Sequence, residues 1–593
     1  MSQYKQMAEN ATMQSFLNCF LRETGIDRSA KKETKADGSL VFLAKLAKQD
    51  LELVIPIRYF SSVGRHLFDF PIRFRPSGSE KEGTIVDYTT LVALCSKELL
   101  IAYDRTDAED EFMLRIILSC RNIERFLRER ETDQAALSQA DFEYIEAEQS
   151  LLLGHLTHPT PKSRQGMTEE EEAVYSPELK GAFQLHYFKA HHSIVLQDSS
   201  ISQPAASLML EELSRQVPEE TERLNRLTEN GEYVLIPIHP LQVKVVMEKA
   251  FVKRYIEEGK LTYLGPLGSE YTATSSFRTV YQKDSAYMLK FSVPVKITNS
   301  LRINKQKELD RGVEMSRILK TELGVSLYEK FSGFRVIEDP AYLSIRGDEA
   351  ESGFEVVIRQ NPFLHREKGA SLIAGLCQDH AYGGKSRLAG IIHKLADSEG
   401  RSTEAVSRDW FKQYLTISLK PMLWLFETYG LALEAHQQNA VVQMKDGYPE
   451  TFYYRDNQGY YYSESKKDKL ANLVQNLSVR SETICADDVA VERLRYYFFF
   501  NHLFGLINGF GTEGLAKEED LLALVRDTLL AHEETYGASD LTNSLLRSKE
   551  LPSKANLLTR FEDMDELTGS LETQSRYTAV LNPLFIHKGA LIG

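Results

Sequence analysis

Three short segments carry side chains whose types and spacing could do chemistry. The first is Ser276-Phe277-Arg278-Thr279, followed by Lys290 and by Thr298-Asn299-Ser300-Leu301-Arg302. Residues 276–282 and 286–293 read as a hairpin turning at Lys283-Asp284-Ser285, with side chains alternating along each strand. Pairing Arg278 with Lys290 sets Ser276, Arg278 and Lys290 on one face and sends Phe277, Tyr281, Leu289, Phe291 and Val293 into the core. Like charges side by side on a sheet are destabilising, so the pair makes sense where an anion, most obviously polyphosphate, sits between them. Thr298 or Asn299 is placed to cap a helix through Leu309 and Val313, which would set Arg302 beside unpaired backbone N–H groups. That is a socket for a carboxylate or phosphate. A solvated hairpin face bearing ordinary surface charges would explain the same residues.

The second segment is Glu434-Ala435-His436-Gln437-Gln438-Asn439, with Arg455-Asp456-Asn457-Gln458-Gly459 behind it. In extended form it projects Glu434, His436 and Gln438 together, and a turn at Lys445-Asp446-Gly447 brings Asp456 back beside them. Mg²⁺ takes oxygen ligands, keeps several waters and is commonly held by one or two carboxylates plus nucleotide phosphates, so Glu434 and Asp456 suit it. The plainer alternative makes Glu434 a hydrogen-bonded strand residue and Asp456 a turn former.

The third segment runs Gly154-His155-Leu156-Thr157-His158-Pro159-Thr160-Pro161-Lys162-Ser163-Arg164. It follows a helix end, and its two prolines stiffen a loop that presents charge. Lys162 and Arg164 suit recognition of phosphate or of citrate. Zinc at His155 and His158 lacks a nearby third ligand, and a plain connector remains the competing account. His239, between Pro237 and Pro240, reads as structural. Arg493 and Arg495 lead into the apolar stretch Tyr496–Phe510; one could reach a carboxylate, with a surface ion pair as the default.

Positioning these segments takes a large scaffold. A chain of 593 residues exceeds one hydrophobic core and implies three or four packed units. Apolar alternation at Leu51, Leu53, Ile55, Ile57 and Tyr59, answered past Gly64 by Phe70, Ile72 and Phe74, predicts a hairpin. Helices are expected at Tyr88–Tyr103, Glu109–Glu129 and Asp141–Leu153, the last closed by Gly154. Residues 181–390 mix strands such as Tyr233–Ile238 and Phe354–Ile358 with helices. Residues 391–593 open with helices, pass through strands near Leu431–Met444 and Thr451–Tyr454, and end in helices. The class is α+β, divided at about 1–180, 181–390 and 391–593.

The balance of 71 Lys and Arg against 85 Asp and Glu gives a net charge of −14, which argues against a nucleic-acid binder and would not repel a cationic amine. Five scattered cysteines form no C-x-x-C pair, and neither a disulfide framework nor a cysteine zinc site is expected. The first residues lack a signal peptide's plan. Tyr496–Phe510, broken by Asn501, His502 and Asn508, falls short of the ~20 residues of a membrane span and reads as a buried helix. A cytoplasmic location fits best.

Six blocks in order, G-H-x-x-H-P-x-x-K-x-R at 154–164, H-P-L-Q at 239–242, S-F-R-T at 276–279, K-I-T-N-S-L-R at 296–302, E-A-H-Q-Q-N at 434–439 and R-D-N-Q-G at 455–459, resemble the aerobactin-type, nonribosomal-peptide-independent siderophore synthetases. Leu156 replaces a common Pro and Leu241 a common Trp, departures that touch loop packing more than chemistry. In its flanking regions the chain looks most like the petrobactin branch, which joins spermidine to citrate. The resemblance implies a three-part cupped hand of thumb, fingers and palm, often dimeric, that uses ATP and Mg²⁺ to adenylate citrate and condense it with an amine. It places Ser276, Arg278 and Lys290 on ATP phosphates, Gln438, Asn439 and Asp456 on nucleotide or metal, and Glu434 on the shared Mg²⁺. It places His155 or His158, Thr298, Arg302, His436 and Arg493 around citrate. Arg278, Lys290, Arg302 and His436 are the expected catalytic set. Two other classes stay open. His436…Asn439 followed by Asp456-x-x-Gly459 loosely echoes a kinase catalytic loop without its Gly-rich loop, and a non-catalytic binder of citrate or ferric siderophore would need no metal carboxylates.

Overall fold

The computed structural model describes residues 2–585 apart from 36–37, 106–108, 229–230, 299, 563 and 565–575. The expected alternation of residues 51–59 forms the strand Leu51–Tyr59, which pairs antiparallel with Leu67–Phe68 and Arg73–Pro76. On its other edge lies Leu40–Leu46, a strand the apolar pattern did not single out. These belong to a six-stranded sheet packed on the helices Gln3–Thr24, Tyr88–Tyr103 and Glu109–Glu129. Asp87 caps Tyr88–Tyr103 by accepting the Thr90 N–H. Phe16, Phe20, Phe42, Leu53 and Leu91 fill this core, and Leu557 and Phe561 from the far end of the chain close it. The third expected helix is only one turn, Tyr144–Glu148. Gly154, at φ +78°, packs against Pro161 and Lys162 rather than capping a helix.

A second core lies on an eight-stranded antiparallel sheet in the order Tyr233–Ile238, Ala182–His191, Leu261–Ala273, Thr279–Tyr281, Tyr287–Phe291, Val356–Gln360, Ala341–Ile345, Val195–Ser199. Phe277, Leu289, Phe291 and Val293 are buried here as expected, while Tyr281 joins the next core. In that third and largest core, the helices Arg387–Glu399, Thr403–Ile417 and Leu419–Tyr429 pack with the four-stranded sheet Phe334–Val336, Tyr448–Tyr454, Ala440–Lys445, Ala370–Leu372. The apolar stretch beginning near Tyr496 is buried: a π-helical segment Arg495–Leu503 runs into the α-helix Phe504–Thr512. The chain's last described pairing is a strand pair, Glu550–Lys554 with Tyr577–Leu581, not a helix. Side chains from all three parts meet around one cavity, the cupped-hand α+β arrangement.

Candidate active site

The expected register of Arg278 against Lys290 is off by one: Thr279 pairs with Lys290, and the strand begins only at Thr279. Residues 274–278 form a tight turn in which the Phe277 N–H donates to the Thr274 carbonyl and Phe277 takes φ +68°. A left-handed phenylalanine costs on the order of 1–3 kcal/mol, and burying its ring returns about as much. The turn thus delivers to the cavity the arginine that the strand would have turned aside. Arg278 donates to Asn304 Oδ1 at 2.9 Å and to Gln458 Oε1 at 3.3 Å. Lys290 Nζ donates to the same Gln458 oxygen at 2.5 Å and to Asp456 Oδ1 at 2.5 Å. Both cations are buried. Burial, helped by Arg278 and Arg359 and opposed by Asp456, brings Lys290 down to about 8. Burial alone would raise the Asp456 carboxyl, but Lys290, Arg359 and Arg278 hold it well below the usual carboxylate range. Two adjacent cations therefore do converge on one acceptor, by a route other than strand register.

Thr298 and Arg302 lie on the small hairpin of Lys296–Ile297 and Ser300–Leu301. The helix through Leu309 and Val313 starts at Gln306 with Lys305 as its cap, so Thr298 caps nothing and Arg302 does not sit at a helix N-terminus. Asn299, the other expected cap, lies outside the described residues. Arg302 instead reaches back to the Ile297 carbonyl at 3.1 Å and Thr298 Oγ1 at 3.3 Å, and both residues line the cavity.

Residues 434–439 are a kinked loop and not an extended strand. The Ala435 N–H donates to the Leu433 carbonyl and the His436 N–H to the Glu434 carbonyl, and these bonds across two residues abolish the alternation. Glu434, His436, Gln437, Gln438 and Asn439 all line the cavity as a result. Glu434 Oε1 accepts from the Tyr461 hydroxyl at 2.8 Å, and burial raises its carboxyl. The turn at Lys445-Asp446-Gly447 forms as expected, with φ +51° and +83° at Asp446 and Gly447.

The loop Gly154–Arg164 does not display its basic residues to water. Lys162 and Arg164 are buried yet line the cavity, and they share Glu178, which accepts two Arg164 bonds at 2.6 and 2.7 Å and one from Lys162. His155, His158 and His436 share one device: each Nδ1 accepts the backbone N–H two residues on, from Thr157 at 3.2 Å, Thr160 at 3.1 Å and Gln438 at 3.3 Å. A backbone N–H can only donate, so the neutral rings of His158 and His436 carry their proton on Nε2, while His155 Nε2 lies 3.1 Å from the Asn501 amide nitrogen. His239 caps the helix Pro240–Glu248 in the same way and is structural. Arg493 is not in a surface ion pair: it is buried, donates to the Tyr577 hydroxyl at 3.0 Å and lies near Glu434. Arg495 is also buried and reaches Ser544.

Sequence reasoning missed the clamp beneath the site. Arg455 donates to both Glu148 oxygens, to the Tyr144 hydroxyl and to the Gln438 carbonyl. Glu148 in turn accepts from the N–H and hydroxyl of Ser275, so the turn before Arg278 and the loop carrying Gln438 are tied together. Gln458 and Arg455 lay inside a recognised block, whereas Glu148, Asn304 and Arg359 had no local signal.

The cavity measures about 690 Å³ and holds Ser276, Arg278, Lys290, Gln438, Asn439 and Asp456 together with His155, His158, Thr298, Arg302, His436 and Arg493. Glu434 and Asp456 line it too, alongside the amides of Gln438, Asn439 and Gln458. That all-oxygen donor set fits a hard cation shared with phosphates. No group of three or more His, Cys, Asp or Glu residues among the described residues could hold a metal by itself, and the zinc alternative at His155 and His158 gains no third ligand.

Fold and cavity define a class: an α+β protein in which one chamber brings a pair of buried cations together with arginine and histidine side chains. Residues 143–378 match the model of the IucA / IucC family, and residues 408–569 match a model described as ferric iron reductase FhuF-like transporter. The chain is 48% identical to the spermidine-citrate ligase of Bacillus anthracis, over 98% of this chain and 99% of that one. It is 36% identical to the rhizobactin siderophore biosynthesis protein RhbC of Rhizobium meliloti, over 98% of each. The structure of ATP-bound aerobactin synthetase IucA from Klebsiella pneumoniae superposes with a TM-score of 0.88 at 26% identity, covering 97% of this chain and 100% of that one. The chain belongs to the IucA / IucC family of siderophore synthetases.

Proposed function

We propose that the chain is an ATP-dependent acid–amine ligase of siderophore biosynthesis. It adenylates a carboxylate of citrate and condenses it with a polyamine, spermidine by similarity to the Bacillus anthracis ligase, in a petrobactin-type route. The observation that carries this reading is the meeting of Arg278 and Lys290 on Gln458 Oε1 inside the chamber that also holds Arg302 and His436.

A citrate carboxylate attacks the α-phosphorus of ATP, pyrophosphate leaves, the amine then takes the acyl group, and AMP is released. Arg278 and Lys290 stabilise the charge growing on phosphate oxygens, with donors fixed before the reaction begins. Ser276, Gln438 and Asn439 contact the nucleotide. Thr298, Arg302, Arg493, His155 and the Nε2–H groups of His158 and His436 orient citrate. Lys162 and Arg164, neutralised in part by Glu178, add positive charge at the cavity wall. Glu434 and Asp456 would hold Mg²⁺, which would further neutralise the triphosphate. The enzyme works on small molecules as a cytoplasmic homodimer. No helix among the described residues is long and apolar enough to cross a membrane.

Arg302→Ala tests the assignment. It should abolish citrate-dependent pyrophosphate release with the fold intact, and release at the wild-type rate refutes the role. Trapping with hydroxylamine across a panel of carboxylic acids, then mass analysis with a panel of amines, identifies both substrates. AMP as the nucleotide product separates a ligase from an ADP-forming phosphotransferase.

A further inference from the structure

The kinked loop that turns both Glu434 and His436 into the cavity is anchored from behind by a residue that never reaches the cavity. His502 is fully buried on the π-helical segment, and its Nδ1 lies 2.7 Å from the Ala435 carbonyl oxygen. A carbonyl can only accept, so Nδ1 carries the proton; Nε2 must then accept, and the Tyr414 hydroxyl donates to it. Burial pushes the imidazolium down to about 4, so the ring is neutral and its donor and acceptor are fixed across the working pH range.

Aromatic walls hold this relay in place. The His502 ring stacks on Phe452 at 6.1 Å and meets the edge of Phe498 at 4.9 Å, while Tyr414 stacks on Trp410 at 5.5 Å. Ala435 is itself fully buried between two cavity residues. With its carbonyl pinned inward, the flanking bonds from Ala435 to Leu433 and from His436 to Glu434 can persist. Wide π turns recur at functional sites, and here one carries the anchor.

We infer that His502, held by Tyr414, is a positioning residue for adenylation: through the Ala435 carbonyl it fixes the loop that presents Glu434 and His436. The inference rests on the reading of the chamber as a citrate-activating site. Partners that orient a site's direct contacts typically carry 10- to 100-fold of its function.

The test compares His502→Phe with His502→Asn, measuring citrate-dependent pyrophosphate release, thermal midpoint and ATP binding. Phenylalanine keeps the stacking and loses the donor; asparagine puts an amide N–H near the Nδ1 position. His502→Phe should lower kcat about 10- to 100-fold with ATP binding within about twofold, and His502→Asn should recover most of the loss. If His502→Phe fails to fold, the double variant Y414F/H502F, which removes the stranded hydroxyl, carries the same comparison. A folded His502→Phe at wild-type kcat, or His502→Asn as impaired as His502→Phe, overturns the inference. A wild-type protein without citrate-dependent release overturns the functional reading instead.

Discussion

Lys290 Nζ stands 2.5 Å from Asp456 Oδ1 across 166 residues of chain. Arg359 approaches the same oxygen at 3.5 Å while holding Asp339 through two bonds at 2.6 and 2.9 Å. One carboxylate thus keeps Lys290 aimed beside Arg278. Removing the ammonium takes away a positioned charge and strands Asp456 and Gln458. Lys290→Ala should cut pyrophosphate release by about 10²-fold or more. Lys290→Arg should not restore it, because a planar fork cannot occupy the point at which Asp456 and Gln458 meet. Steady-state assays at saturating citrate check both, and recovery in the arginine variant would show that charge alone suffices.

The Arg455–Glu148 pair is buried, with side-chain exposures of 5% and 0%. Breaking such a pair leaves one charge uncompensated, at a cost of about 3–5 kcal/mol. Glu148→Ala should therefore destabilise by roughly that amount and also free the Ser275 turn. Arg455→Met combined with Glu148→Ala should recover much of the stability and little of the activity. Urea unfolding of the two single variants and the double supplies the cycle; additive losses would contradict a coupled pair.

Much of the scaffold was legible because local pattern and tertiary role agreed. Tyr88–Tyr103 and Glu109–Glu129 form helices over the expected spans, and Leu51–Tyr59 is the expected strand. The cavity residues were named from blocks in sequence, yet their local geometry was misread at 276–278, 298–302 and 434–439. At each place another bond overrides alternation: the Phe277 N–H turns back to Thr274, Arg302 folds back on Ile297, and Ala435 is tied to His502. Glu148 and Arg359 meet their partners 307 and 97 residues away, and no window along the chain holds both halves of such a pair.

Glu23 joins the helix Gln3–Thr24 to the helix Asn556–Phe561. Its carboxylate accepts the Leu557 and Leu558 N–H groups at 3.0 and 2.9 Å, and burial raises it from 4.5 to about 7. A carboxyl raised on folding binds a proton in the folded state between those values that the unfolded chain has released. Its contribution is therefore full below pH 4.5 and is lost as pH rises through about 7. At ~1.4 kcal/mol per pH unit the span is worth about 3 kcal/mol. Glu23→Gln should gain on wild type in thermal midpoint as pH goes from about 5 to 8. A difference independent of pH would rule out titration of Glu23.

Gly459 packs against the proposed metal carboxylate of Glu434. A Cβ there would stand 2.5 Å from Glu434 Oε2 and 2.9 Å from its carboxyl carbon, so Gly459→Ala must push the carboxylate from its place beside Tyr461. Gly459 is not among the residues at positive φ, and alanine adds crowding without backbone strain. The Glu434 N–H donates to the Gly459 carbonyl, which keeps the loop itself in register. If Glu434 and Asp456 share Mg²⁺, the substitution should raise the Mg²⁺ concentration needed for half-maximal release by about tenfold, with little change in the ATP requirement at saturating Mg²⁺. Titration of Mg²⁺ at fixed ATP and citrate reads this directly. A folded Gly459→Ala enzyme with wild-type Mg²⁺ dependence would remove Glu434 from the metal site and leave Asp456 as its one protein carboxylate.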